Sequence, residues 1–94
     1  MIWAGAEIMD EYDEYELTQD VRLAAEVDDA EEMIGYAKTL PAGTVLTICR
    51  KKHEWGVHPN ARKQEVYTVL AAGGLYNVVA NHLERAVKRV RTNP

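Results

Sequence analysis

The 94-residue chain has no phenylalanine, no serine and a single cysteine, Cys49. Without phenylalanine, the core must be filled by Leu, Ile, Val, Tyr and two Trp. Without serine, serine nucleophiles are excluded, and neither a P-loop nor a dinucleotide fingerprint is present. One cysteine excludes an internal disulfide and fits a reducing compartment. No apolar run approaches the roughly 18 residues needed to cross a bilayer, and the N-terminus lacks the basic start and long apolar stretch of a signal peptide. The expectation is one cytoplasmic domain over residues 1–94, with no membrane contact and a frayed tail at 92–94.

Charge is unevenly placed. The net charge is -4, but the balance through residue 32 is -11, with Arg22 the only base, and from residue 33 onward it is +7. Such asymmetry informs on partners rather than on fold.

The clearest stretch is Asp28–Cys49. Asp28 with Glu31 has capping-box spacing, and Ala30, Met33, Ile34, Ala37 and Leu40 repeat at helical intervals. The pattern predicts a helix ended by Leu40-Pro41-Ala42-Gly43, followed by a strand over Thr44–Cys49. Gly35 inside that helix marks either a close backbone approach or tolerated drift. Before it, Ile2–Met9 is expected as a strand, DEYDE (10–14) as a connector, and Tyr15–Val27 as a long alternating strand with room for a bend midway, a helix over part of Gln19–Glu26 being the competing reading. After it, Arg50–Lys63 is expected as a hairpin with its tip near Gly56–Asn60, and Glu65–Ala72 as the returning strand. Gly73-Gly74 would break that strand, and Leu75, Val78, Val79, Leu83, Ala86, Val87 and Val90 predict a second helix over Leu75–Arg91. The expected fold class is α+β: a four-stranded antiparallel sheet with two helices on one face, in the order β-β-α-β-β-α. The opposite sheet face, with Trp3, Val45, Thr47 and Cys49, would be open to a partner.

Two surfaces carry functional readings. Asp10, Glu11, Tyr12, Asp13, Glu14, Glu16 and Asp20 form an acidic block with an aromatic anchor, suited to a basic, nucleic-acid-handling surface of a partner protein. Arg50, Lys51, Lys52, Trp55, Arg62 and Lys63, with Arg85 and Arg89 of the second helix, form the alternative, a nucleic-acid interface that combines phosphate contacts with base stacking. A homodimer of opposite-charge halves is a further possibility, steered by charge and weakened by salt. Cys49, His53, His58 and His82 are the good zinc ligands, but Cys-x3-His-x4-His lacks a matching second pair, so no metal or cofactor is expected. His82, beside the apolar stripe of the second helix, reads as a helix-edge or core histidine, and Cys49 as packing.

The size, the layout and the acidic hairpin are similar in general style to small phage-encoded inhibitors, anti-CRISPR proteins among them. That resemblance implies a non-enzymatic protein that acts by binding another macromolecule.

Overall fold

The computed structural model describes residues 9–35 and 37–91 and is built almost wholly of sheet. Its strands are β1 (Glu14–Leu17), β2 (Val21–Val27), β3 (Lys38–Leu40), β4 (Val45–Trp55), β5 (Gln64–Ala71), β6 (Gly74–Val79) and β7 (Val87–Arg91), with one short helix, α1 (Ala80–Glu84). All seven strands join a single antiparallel sheet in the order β3-β2-β6-β5-β4-β1-β7. This corrects the expected four-stranded sheet with two helices on one face. The expected strand Ile2–Met9 lies outside the described residues except for Met9, which is buried.

The sheet curls into a half-barrel, and chain connectivity requires the curl. β1 and β2 are joined by Thr18–Asp20 alone, yet β4, β5 and β6 separate them in the sheet. A flat sheet would set them about 19 Å apart, beyond the roughly 14 Å that so short a link can span. The link is tied down where the curl closes. The Thr18 N–H donates to the Ala86 carbonyl (2.6 Å), the Gly43 N–H to the Leu17 carbonyl (2.8 Å), and the Ala42 N–H to the Asp20 carboxylate (2.9 Å).

The core fills the inside of the curl. Tyr15 and Leu17 of β1, Leu46 and Ile48 of β4, Tyr67 and Val69 of β5, Tyr76 and Val78 of β6 and Leu83 of α1 form one cluster. Tyrosine supplies its aromatic volume. The Tyr15 hydroxyl is 3.1 Å from an Arg89 nitrogen, and the Tyr67 hydroxyl donates to Glu84 Oε2 at 2.8 Å, so both polar tips are met.

Each misread segment has a local reason. The first predicted helix is a loop followed by β3. Asp28 accepts backbone N–H groups as a cap would, but from Ala30 and Glu32 within a turn (both 2.9 Å). Glu31 then takes φ 59°, which a right-handed helix cannot continue through. Ile34 and Ala37 are exposed and Leu40 is buried at the end of β3, so the apolar stripe never forms a face. A Cβ on Gly35 would meet only Glu26 Oε1 at 3.7 Å, an ordinary contact, so no tight approach explains that glycine.

The second predicted helix shrinks to Ala80–Glu84, because the valines on either side are β-branched and fit strands better. Gly73-Gly74 ends no strand before a helix. Ala71 pairs with Gly74, and Ala72 (φ 49°) with Gly73 (φ 78°) makes a two-residue hairpin turn. Tyr15–Val27 does break midway, into β1 and β2. A register shift between Val21 and Ala24 turns Leu23 outward, 75% exposed at φ 63°.

Candidate functional site

The loop after β2 folds back on itself and places Glu31 on the sheet. The Asp28 N–H donates to the Glu32 carbonyl and the Glu31 N–H to the Asp28 carbonyl, both at 2.9 Å. Met33 bridges Val27, and the Ile34 N–H reaches the Glu26 carbonyl at 2.9 Å. Register aligns Ala25, Asn77, Thr68 and Arg50 in a row across β2, β6, β5 and β4. Thr68 and Asn77 are buried polar residues, each between a tyrosine and a valine in its strand.

Glu31 satisfies this row. Its Oε1 is 2.6 Å from His53 Nε2, 3.1 Å from Asn77 Nδ2 and 3.2 Å from the Thr68 hydroxyl, while Oε2 pairs with Arg50. The Thr68 hydroxyl is also 2.6 Å from Asn77 Oδ1. Burial pushes the Glu31 carboxyl up, but hydrogen bonds from His53 and Asn77, the His53 charge and the Arg50 hydrogen bond outweigh it and hold the group below its ordinary 4.5. His53 Nδ1 is 2.6 Å from the Lys51 carbonyl, so both ring nitrogens face acceptor oxygens. The Thr68 hydroxyl faces acceptors rather than a basic nitrogen and has one proton for Asn77 Oδ1 and the carboxylate, which also faces His53, Asn77 Nδ2 and Arg50. The network fixes the loop to the sheet.

Beside the network lies a groove of about 340 Å³ between the loop and the β4–β5 hairpin tip. Glu31 and Glu32 line it from the loop, and Trp55, Val57, His58 and Lys63 line it from the end of β4 and the hairpin. The Trp55 indole N–H donates to the Glu31 carbonyl at 2.7 Å, which fixes the ring at the groove. Two smaller clefts hold other charged groups. One, of about 210 Å³, includes the Lys52–Glu84 pair (3.1 Å), and the other, of about 250 Å³, includes Arg22, His82 and Arg85.

The fold neutralises much of the acidic block. β1 pairs with β7, so Tyr15 stands opposite Arg89 and Glu16 opposite Lys88. Asp13 is buried with its carboxylate 3.7 Å from Arg89, Glu16 lies 3.8 Å from Lys88, and Asp10 lies 3.6 Å from Lys51. Glu14 is half-buried in β1 and Asp20 caps Ala42. Glu11 and Tyr12 stay exposed. Tyr12 sits at φ 71° with its N–H on the Ile48 carbonyl (2.6 Å).

The basic set is dispersed. Arg50 goes to Glu31, Lys51 to Asp10, Lys52 to Glu84 and Arg89 to Asp13. Arg62 is exposed near the hairpin tip, Lys63 lines the groove, and Arg85 follows α1. The helix expected to carry Arg85 and Arg89 together is cut to Ala80–Glu84, so Arg85 follows it while Arg89 lies in β7. On the outer side of β4, Val45 is exposed while Thr47 and Cys49 are half-buried, and Trp3 lies outside the described residues.

Cys49 is in β4, where burial pushes its thiol up; His53 is in the Glu31 network, His58 at the hairpin tip and His82 on α1. Among the described residues, no three His, Cys, Asp or Glu side chains converge on a metal-sized site. The sequence reading missed Glu31 as a hub, together with Thr68, Asn77, Tyr67 and Glu84. The available signal was Thr68 and Asn77, polar residues inside β-branched apolar runs, where a buried polar group needs a partner.

Set against known protein families, curated proteins and solved structures, the chain matches none. Among the described residues, no helix is long and apolar enough to cross a membrane.

Proposed function

We propose that this chain is a non-enzymatic binding protein whose partner is a protein with a basic surface. The observation that supports it most is the charge left over after internal pairing. Six bases, Lys38, Arg50, Lys51, Lys52, Lys88 and Arg89, are each paired with an acid. Glu11, Asp29, Glu32 and Glu54 are exposed and make no ion pair among the described residues. Counted with Asp20, Asp28 and Glu65, these exposed acids number seven among the described residues, against four exposed bases in the same state, Arg22, Arg62, Lys63 and Arg85, and the excess lies on the turn that carries exposed Tyr12 and on the loop before Glu31. This narrows the acidic block to Glu11 and Tyr12 and moves part of the contact to the loop.

The test is fluorescence anisotropy of a labelled oligo-arginine peptide and of a labelled single-stranded oligonucleotide at low and high salt. The reading expects the peptide to bind, to release with salt, and to bind less when Glu11, Asp29 and Glu32 are reversed to lysine in a variant of unchanged circular dichroism. Binding of the oligonucleotide in place of the peptide would favour the basic hairpin and reject this reading.

A further inference from the structure

We infer that the cleft where the curl closes binds a side-chain carboxylate of an acidic peptide, with Arg22 and Arg85 on the carboxylate and Leu23 against an apolar neighbour of it. The cleft shares no residue with the turn and loop proposed above, so the inference stands apart from that reading. It lies where the Thr18–Asp20 link is tied to Ala86. Arg22 and Leu23 come to it from β2, His82 from α1 and Arg85 from the turn that follows.

The first support is charge. Six bases each take an acid, but exposed Arg22 and Arg85 take none among the described residues. Arg22 is the only base before residue 33, yet the fold brings it to the same cleft as Arg85 and His82 rather than to an acid of its own half. The acid that lines the cleft, Asp20, accepts the Ala42 N–H at 2.9 Å and pairs with neither arginine. A bound carboxylate relieves the repulsion between the two guanidinium groups, whose planar forks match it, and His82 offers a ring N–H.

The second support is Leu23. The register shift in β2 sets it at φ 63° and 75% exposed. A bulky side chain adopts that backbone at a cost, which glycine would avoid, and at that exposure little packing offsets it. Strain of this kind collects at binding sites. Here it holds an aliphatic side chain out beside two arginines. The volume, about 250 Å³, is below the roughly 300 Å³ at which pockets for whole small molecules begin, so it suits one side chain and part of its neighbour. Nucleic acid is disfavoured, because the other exposed bases without ion partners, Arg62 and Lys63, belong to the β4–β5 hairpin and do not extend the cleft into a track.

The experiment follows amide and histidine-ring chemical shifts of the full chain against the peptide acetyl-Gly-Leu-Glu-Leu-Gly-amide, its glutamine counterpart and a single-stranded oligonucleotide. The expected result is a saturable, salt-sensitive shift of His82 and of the amides at 20–23 and 82–86 with the glutamate peptide alone. Arg22→Gln with Arg85→Gln, at unchanged circular dichroism, should weaken binding roughly tenfold, with each single variant in between. Leu23→Ala should weaken it roughly threefold. Equal shifts with the glutamine peptide, shifts of these residues by the oligonucleotide, or glutamate-peptide shifts confined to residues 61–64 overturn the inference. No shift with any probe rejects it and leaves the basic-partner reading in place.

Discussion

His53 Nε2 lies 2.6 Å from Glu31 Oε1, and this contact joins a loop to the strand that ends in Trp55. The carboxylate also meets Arg50, Thr68 and Asn77, so its removal leaves several donors without their acceptor. Glu31→Ala should lower stability by about 2–3 kcal/mol, read as a shift of the urea midpoint with unchanged slope. An unchanged midpoint would show that the network contributes nothing net.

The same group sets an acid limit. The Glu31 carboxyl is held below its ordinary 4.5 in the folded chain, so its contribution is present above about pH 4.5 and is lost as pH falls through the folded value. The stability difference between the wild type and Glu31→Gln should therefore narrow with acid. A difference that stayed constant or widened as the pH fell would contradict the sign.

The β5–β6 turn holds an alanine where glycine costs less. Ala72 at φ 49° carries a Cβ in the left-handed region, and its neighbour Gly73 at φ 78° does not. Ala72→Gly should raise stability by about 1 kcal/mol, and Gly73→Ala should lower it by a similar amount. Nothing lies within 4 Å of a Cβ at Gly73, so crowding plays no part. Thermal melts of the two variants should move in opposite directions.

Leu17 and Leu23 share one face in a simple alternating reading, but the chain separates them. Leu17 is 1% exposed and Leu23 is 75% exposed. Leu17→Ala should cost roughly 2–5 kcal/mol, and Leu23→Ala should stay within about 0.5 kcal/mol. Equal losses in chemical denaturation would place the bulge in β2 wrongly.

Strands with strict alternation were legible in the residues. Thr44–Cys49 puts Leu46 and Ile48 inside as its pattern implies, and Glu65–Ala72 nearly coincides with β5. The segment Asp28–Leu40 was not legible as a loop, because an aspartate that accepts backbone N–H groups serves a helix start and a tight turn equally well. Leu75–Arg91 has helical spacing by coincidence of valines whose β-branching favours strands. The charge halves were visible, but their pairing was not, since Glu16 and Lys88 meet only through the register of β1 with β7. Glu31 could be named as a cap but not as a hub, because Thr68 and Asn77 reach it only once three strands lie side by side.

The β1–β7 ladder also bears on synthesis. On the ribosome, Glu14 and Glu16 are made long before the Lys88–Arg91 segment they face. β1 can meet β4 early, but its other edge stays open until the last strand emerges. Until β7 is made, the acidic residues of β1 lack the bases they face, and like charge holds neighbouring nascent copies apart.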